Sequence, residues 1–212
     1  MNRTAFLIDG FNLYHSLKDA GRDLGGVSTR WLDLRALCGS FLYQVGGNAQ
    51  LAGVFYFSAL ARHLEAIKPD VTLRHLAYIE CLRSTGVEVE LAQFKEKWIS
   101  CPHCHASITR HEEKETDVAI ALKLLELSWR DQCDSIVVMS GDSDLAPAFR
   151  AVLRHFPGKS IYCCFPYRRG SFELQSLAKR SFRIKKERYA KHQLPNPVAL
   201  ENGRQIGKPA GW

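Results

Sequence analysis

The chain has 212 residues, of which 46% are hydrophobic and 24% are charged; this is typical of one soluble globular domain and leaves little room for two large ones. Its formal net charge of +7 at pH 7 favours a polyanionic partner such as nucleic acid. No apolar run reaches the roughly 18 residues that a membrane span needs, and no secretory signal precedes the first predicted strand, so we expect a cytoplasmic protein without membrane association. The seven cysteines are an odd number, which favours free thiols or a metal site in a reducing compartment.

Strands and helices alternate along the predicted chain. A first strand over residues 5–8 leads into a helix after Asp9, and the same order of strand, turn and helix recurs at 136–149. This alternation predicts right-handed crossovers and a three-layer α/β sandwich with a mostly parallel central sheet. We expect one domain over residues 1–190 and a poorly ordered tail over 191–212, where proline and glycine interrupt every pattern. Further strands are predicted at 54–57, 87–91, 159–165 and 182–184, and further helices at 33–42, 69–82, 116–129 and 172–178.

Two of the predicted helices carry an apolar stripe at helical spacing, which we expect to face the core. In the helix that starts at Pro69 the stripe consists of Val71, Leu73, Leu76, Ile79 and Leu82. In the helix that starts at Thr116 it consists of Val118, Ala121, Leu122, Leu125 and Trp129.

Acidic residues follow two of the predicted strands. Asp9 follows the first strand, and Asp142 and Asp144 follow the strand at 136–139. Parallel strands bring their carboxyl ends to one edge of the sheet, where open α/β sheets bind ligands, so we expect these carboxylates to meet if the two strands are neighbours. Asp117, in the first turn of a crossover helix, is expected to complete the ring. An oxygen-only ligand set favours Mg²⁺ or Mn²⁺ over Zn²⁺, and an ion held there would lower the pKa of a water for attack on a phosphodiester.

Three motifs, taken in order, resemble those of the NYN domain family, which belongs to the PIN-like nuclease group and includes the LabA type. They are Asp9-Gly10-Phe11-Asn12, Glu115-Thr116-Asp117-Val118 and Ser140-Gly141-Asp142-Ser143-Asp144. The resemblance extends over roughly residues 4–185. It implies a metal-dependent ribonuclease in which Asp9, Asp117, Asp142 and Asp144 are the catalytic metal ligands. It also implies that Asn12 and Ser140 support the site by hydrogen bonding to substrate, water or metal ligands.

Basic residues are expected near the same edge. Lys114 precedes Asp117, and Arg168 and Arg169 follow the strand at 159–165. Arginine and lysine beside an aromatic ring commonly hold single-stranded RNA, so we expect these three side chains to bind substrate. Our main hypothesis is an endoribonuclease acting on single-stranded rather than duplex RNA through a metal-activated water. The alternative is a regulatory protein that binds RNA in the same cleft without cleaving it, and the sequence leaves a homo-oligomer open.

A Cys/His-rich insert at about residues 95–114 contains Cys101-Pro102-His103-Cys104-His105. As C-x-x-C-H it fits c-type haem attachment, which the lack of an export signal disfavours. As C-x-x-C it fits a thiol oxidoreductase, but the residues after it, 106–109, are poor helix formers. The same spacing is half of a tetrahedral zinc site, for which His105 and His111 are the nearest further ligand candidates, and His63, His75 and Cys81 are candidates if the fold brings them near. A turn with two free thiols is the remaining interpretation.

Overall fold

The computed structural model describes residues 1–104 and 107–212, and for Ile108, Arg110 and Glu113 the backbone only. Its helices are α1 (Gly10–Asp23), α2 (Leu34–Gly39), α3 (Leu42–Val45), α4 (Val71–Ser84), α5 (Thr116–Trp129), α6 (Ala146–His155), α7 (Phe172–Leu177) and α8 (Lys186–Lys191), with 3₁₀ turns at Arg62–Leu64 and Ser143–Leu145. Its strands are β1 (Asn2–Asp9), β2 (Ala49–Ala59), β3 (Glu88–Ser100), β4 (Ser107–Lys114), β5 (Ser135–Met139), β6 (Ser160–Phe165), β7 (Arg180–Arg183), β8 (Val198–Ala199) and β9 (Gln205–Ile206).

The main sheet has the strand order β4-β3-β2-β1-β5-β6-β7. Every neighbouring pair in it is parallel except β3 with β4, which confirms the predicted three-layer α/β class with a mostly parallel sheet. The chain builds outward from β1 through β2 to β3, and then returns to place β5 on the other side of β1. The strand order therefore reverses between β1 and β5, and a crevice opens at the carboxyl ends of strands at such a reversal.

Two hydrophobic layers cover the two faces of the sheet, because successive side chains of a strand point to opposite faces. In β1, Phe6 and Ile8 join one layer, whereas Ala5 and Leu7 join the other. The first layer packs against α1, α2, α4 and α8, and the second packs against α5, α6 and α7. The central strand β1 is therefore buried on both faces, and its last residue, Asp9, is held in a fixed position at the carboxyl ends of the strands.

The apolar stripe predicted for α5 is wrong at Val118, Leu122 and Trp129, which are exposed, whereas Ala121 and Leu125 are partly buried and pack against the second layer. Val118 and Leu122 are each 61% exposed. The core face of α5 is formed instead by Ile120, Leu124 and Leu127. The helix is apolar on both faces, so the spacing of its hydrophobic residues alone does not identify the face that packs on the sheet.

The α4 prediction is wrong in the same way at two positions. Leu73 and Leu76 are exposed, whereas Ile79 and Leu82 are buried as expected. Tyr78, which was outside the predicted stripe, is buried and donates a 2.7 Å hydrogen bond from its hydroxyl to the carbonyl of Leu32. This hydrogen bond connects α4 to the segment just before α2.

Strands β3 and β4 form a long antiparallel hairpin, which contains the predicted Cys/His-rich insert at about residues 95–114. Residues Glu88–Ala92 of β3 pair with β2, and Gln93–Ser100 pair with β4. The second half of β3 has no partner in β2, so the hairpin extends past the sheet as an arm. Cys101 and Cys104 lie at its tip.

The C-terminal residues differ from the poorly ordered tail that we expected. Leu194 and Val198 are each 4% exposed and belong to the first hydrophobic layer. The indole of Trp31 donates a 3.0 Å hydrogen bond to the carbonyl of Pro195, and the Trp212 ring lies 6.1 Å from the Trp31 ring. Scattered apolar side chains in this segment provide enough burial to order it against the core. No helix in the described part of the chain is both long enough and apolar enough to cross a membrane.

Candidate active site

Asp9 and Ser140 meet in the crevice between β1 and β5. The two strands pair in register up to Ile8 and Met139, so the next residue of each strand lies at the same edge. The Ser140 hydroxyl donates a 2.7 Å hydrogen bond to Oδ2 of Asp9. The backbone N–H of Asn12 donates a 2.9 Å hydrogen bond to Oδ1 of Asp9, which caps α1. Both oxygens of this buried carboxylate are thus fixed in position.

The loop after β5 is tied to the same groups. The N–H of Gly141 donates to Oδ1 of Asn12 at 3.1 Å, and the N–H of Asp142 donates to the hydroxyl oxygen of Ser140 at 3.0 Å. Asp142 in turn accepts at Oδ1 a 3.0 Å hydrogen bond from the N–H of Asp144 and caps the 3₁₀ turn. The sequence Ser-Gly-Asp-Ser-Asp therefore forms a self-capped turn, with Asp142 half-buried and Asp144 exposed at the crevice.

Asp117 lies close enough to the other three acids to interact with them electrostatically. The pKa of Asp117 is raised to about 6, first by burial and then by the negative charges of Asp142, Asp9 and Asp144, in that order of importance. Burial likewise raises the pKa of Asp9, with a smaller contribution from the charge of Asp142, while the hydrogen bonds from Asn12 and Ser140 lower it. Four carboxylates from three segments of the chain thus share one region, in which a cation would relieve their repulsion.

The backbone in front of Asp117 has an uncommon conformation. Glu115, which precedes α5, has a φ of 80°, a left-handed geometry that non-glycine residues adopt at an energetic cost. Lys95 on the hairpin arm makes a 2.8 Å ion pair with Glu115. The arm therefore contacts the turn that positions Asp117.

The acid cluster fits a hard divalent cation by its chemistry. In the described part of the chain, no three His, Cys, Asp or Glu side chains are already arranged around one metal position. Mg²⁺ usually keeps several water ligands and binds through only one or two carboxylates, so a complete protein cage is not required. The half-buried Asp142 and the buried Asp9, joined through Ser140, are the best-fixed oxygen donors for such an ion.

The three basic residues predicted to bind substrate all form ion pairs. Arg169 makes a 2.8 Å contact with Asp19 of α1, and Arg168 makes a 2.8 Å contact with Asp23 of the same helix. Lys114 makes a 3.0 Å contact with Glu112. Among the three, Arg169 is tied most directly to the acids: a Cβ added to Gly141 would lie 3.1 Å from the Cβ of Arg169.

The structure does not gather the predicted zinc ligands into one site within the described residues. At the arm's tip, Cys101 receives backbone hydrogen bonds from Cys104 and His103, which lower the pKa of its thiol. His105 lies outside the described residues. His111 lies within β4, four residues after its first residue, Ser107. The His111 ring stacks on the His63 ring, with 4.3 Å between the ring centres.

One surface beside the acids was not identified from the sequence. On α1, Phe11, Tyr14 and Lys18 are exposed, and His15 is partly exposed between them. Phe11, Tyr14 and Lys18 follow one another at intervals of three and four residues, and His15 is four residues after Phe11, a spacing that places them on one helix face. This spacing, directly after the Asp9-Gly10 turn, is the signal that could have identified the surface.

Comparisons with known proteins agree with this architecture. The family described as "NYN domain" matches residues 3–185. A crystal structure of a protein of unknown function from Vibrio parahaemolyticus is similar in fold, with a TM-score of 0.53 and 18% sequence identity over 87% of this chain and 93% of that chain. No curated protein matches the chain.

Proposed function

Because the chain belongs to the NYN domain family, a group of PIN-like nucleases, we propose that it is a metal-dependent endoribonuclease that hydrolyses phosphodiester bonds of single-stranded RNA. The observation that carries the proposal is the convergence of Asp9, Asp117, Asp142 and Asp144, which interact electrostatically at the reversal of strand order. A group of acids that repel one another is costly to stability, and a catalytic cation site accounts for it.

In this proposal the four aspartates form the site for Mg²⁺ or Mn²⁺, and Asp9 and Asp142 are its best-fixed oxygen donors. Bound there, either ion would neutralise charge on the phosphodiester and lower the pKa of a water. The protein supplies the fixed geometry: Ser140 and the Asn12 N–H orient Asp9, and Ser140 also accepts from the Asp142 backbone. Asn12 and Ser140 are therefore positioning residues, because their bonds set where the carboxylate oxygens lie.

Substrate phosphates would be held by the basic side chains beside the cleft. Arg168 and Arg169 are kept in place by Asp23 and Asp19, so less side-chain entropy is lost when a phosphate binds. Lys114 lies just before α5, and its Nζ makes an ion pair with Glu112. We propose all three as phosphate contacts.

The decisive experiment incubates purified protein with single-stranded RNA and Mn²⁺ and compares wild type with Asp142→Asn. We expect wild type to cleave the RNA and Asp142→Asn to leave it intact. Asp70→Asn is the matched control, because Asp70 is exposed, lies at the start of α4 and contacts only Arg74 among the described ion pairs. A circular RNA of the same sequence distinguishes internal cleavage from trimming at ends. If wild type binds the RNA but leaves it intact, the protein is an RNA-binding regulator instead.

We also propose that Cys101 and Cys104 are two ligands of a structural Zn²⁺ at the arm's tip. The support is the C-x-x-C spacing on a tight turn together with the backbone hydrogen bonds that favour the Cys101 thiolate. His105 and His111 are the sequence candidates for the remaining positions, and each His→Ala variant tests one of them. Metal analysis of untagged, reduced protein should give zinc that is lost in Cys101→Ser. Absence of zinc from the wild type would leave a turn with two free thiols.

A further inference from the structure

We propose that the exposed face of α1 is a track that binds single-stranded RNA and leads the strand from the carboxylates to a cleft beside Trp212. This inference rests on the proposed ribonuclease function and assigns the part of the molecule that holds the RNA beside the cut. The α1 track consists of Phe11, Tyr14, His15, Lys18 and Arg22, which all lie on one side of the helix.

The first half of the α1 track is aromatic. Phe11 is 48% exposed and Tyr14 is 40% exposed, although both are large apolar rings at the start of a helix whose cap is Asp9. The His15 ring contacts both, with ring centres 4.5 Å from Phe11 and 5.7 Å from Tyr14 in edge-to-face geometry. Partial burial and the charge of Arg169 lower the pKa of His15, so its ring is neutral at pH 7. Exposed rings that support one another in this way form a platform on which bases stack.

The second half of the α1 track is basic. The Lys18 ammonium lies 5.7 Å from the centre of the Tyr14 ring, and Arg22 follows one turn later. The two acids on this helix, Asp19 and Asp23, accept from Arg169 and Arg168, so their charge is offset. Rings followed by cations offer contacts to both the bases and the phosphates of a single strand.

The α1 track begins at the carboxylates and ends in a cleft. Phe11 is two residues from Asp9, and Arg22 is about 16 Å further along the helix at the rise of an α-helix. Lys18 and Arg22 also line a cleft of about 370 Å³ whose other walls include Arg30 and Trp212. This volume lies in the range of small-ligand sites, and an aromatic ring among cations suits a nucleotide. A duplex would not fit the arrangement, because its bases are not free to stack on side chains.

The test measures RNA affinity separately from cleavage. The Asp142→Asn protein is titrated against a labelled oligouridylate, and fluorescence anisotropy measures the binding. The oligonucleotide has about 12 nucleotides, a length in the range that such grooves occupy. Phe11→Ala and Tyr14→Ala should each weaken binding about 10-fold, because each removes one stacking ring. Tyr14→Phe, which keeps the ring, should retain the affinity. Tyr43→Ala and Trp129→Ala are matched controls, since these rings are exposed but lie just before the first residues of β2 and β5, whereas the acids follow the last residues of their strands.

The salt dependence of binding gives a readout that a merely structural role would not change. Lys18→Ala and Arg22→Ala should each reduce the slope of log affinity against log salt by about 0.7. Lys179→Ala, a basic residue beside the first residue of β6, should not change it. The proposal is overturned if Phe11→Ala and Tyr14→Ala bind RNA as tightly as Tyr43→Ala does. Cleavage by the wild type is measured separately. If the wild type cleaves RNA and Tyr14→Ala does not weaken binding, only the α1 track is refuted. If Tyr14→Ala weakens binding and the wild type does not cleave RNA, only the nuclease function is refuted.

Discussion

Asp9 and Ser140 are 131 residues apart in the chain and share a 2.7 Å hydrogen bond in the crevice at the reversal of strand order. The Ser140 hydroxyl also accepts from the backbone N–H of Asp142. One hydroxyl therefore links two of the acidic segments, and the geometry of the carboxylate cluster depends on it.

Replacing Ser140 with Ala should lower stability and loosen the cluster. The change leaves a buried carboxylate without its side-chain donor, which costs about 1–3 kcal/mol of unfolding free energy. It should also raise the pKa of Asp9, because the Ser140 hydrogen bond lowers that pKa. Urea denaturation at pH 7 measures the loss, and Ser143→Ala, at an exposed position of the same turn, is the control. Equal losses for the two variants would show that the hydrogen bond to Asp9 contributes nothing specific.

The stability of the metal-free protein should depend on pH through Asp117. Its pKa is raised from 3.8 to about 6 in the folded state, so the folded state binds a proton more tightly than the unfolded state does. The contribution of protonated Asp117 to the free energy of unfolding is therefore present below about pH 4 and is lost as the pH rises through about 6. Asp117→Asn removes this dependence and should be more stable than wild type by about 1 kcal/mol at pH 7, after allowance for partial solvent screening. A wild-type-minus-variant difference that is constant from pH 4 to pH 7 would contradict this assignment.

Divalent cations should stabilise the wild type in chelator-treated samples. Mn²⁺ at about 100 times its dissociation constant should add about 2.7 kcal/mol to the free energy of unfolding. Asp9→Asn and Asp142→Asn should lose most of that gain, because each removes a proposed ligand charge. Thermal unfolding with and without EDTA measures the effect, and Asp70→Asn should respond as the wild type does. An equal gain in all four proteins would place the ion elsewhere.

Gly141→Ala should destabilise the protein by about 1–3 kcal/mol through overpacking. An added Cβ would lie 2.7 Å from the backbone nitrogen of Gly170 and 3.1 Å from the Cβ of Arg169, so the loop that carries Arg169 must shift. The shift should also weaken RNA binding. Gly158→Ala is the matched control, because nothing lies within 4 Å of an added Cβ there. If the two variants unfold at the same denaturant concentration, the loop that contains Gly141 and the loop that contains Arg169 and Gly170 are not in close contact in solution.

Leu194→Ala should cost about 2–5 kcal/mol, the usual range for a buried leucine. Leu194 is 4% exposed within the C-terminal segment, and its N–H donates a 2.8 Å hydrogen bond to the carbonyl of Trp31. Leu73→Ala is the same change at a site that is 68% exposed and should alter stability by at most about 0.5 kcal/mol. A similarly small effect of Leu194→Ala on stability would show that the C-terminal segment does not pack stably against the core.

The sequence by itself determined the alternation of strands and helices, and therefore the parallel α/β sheet, because buried strands and turn residues are local signals. It also placed Asp9 and Asp142 at strand ends, which follows from the same local pattern. The orientation of α5 was decided only by tertiary packing: Leu122 and Leu124 are equally apolar, and only contact with the sheet buries the second. The arm and the packed C-terminus likewise depend on long-range contacts, such as that between Trp31 and Pro195, which no local pattern encodes. Whether the acids meet depended on β1 and β5 being neighbours, which is a property of the sheet topology.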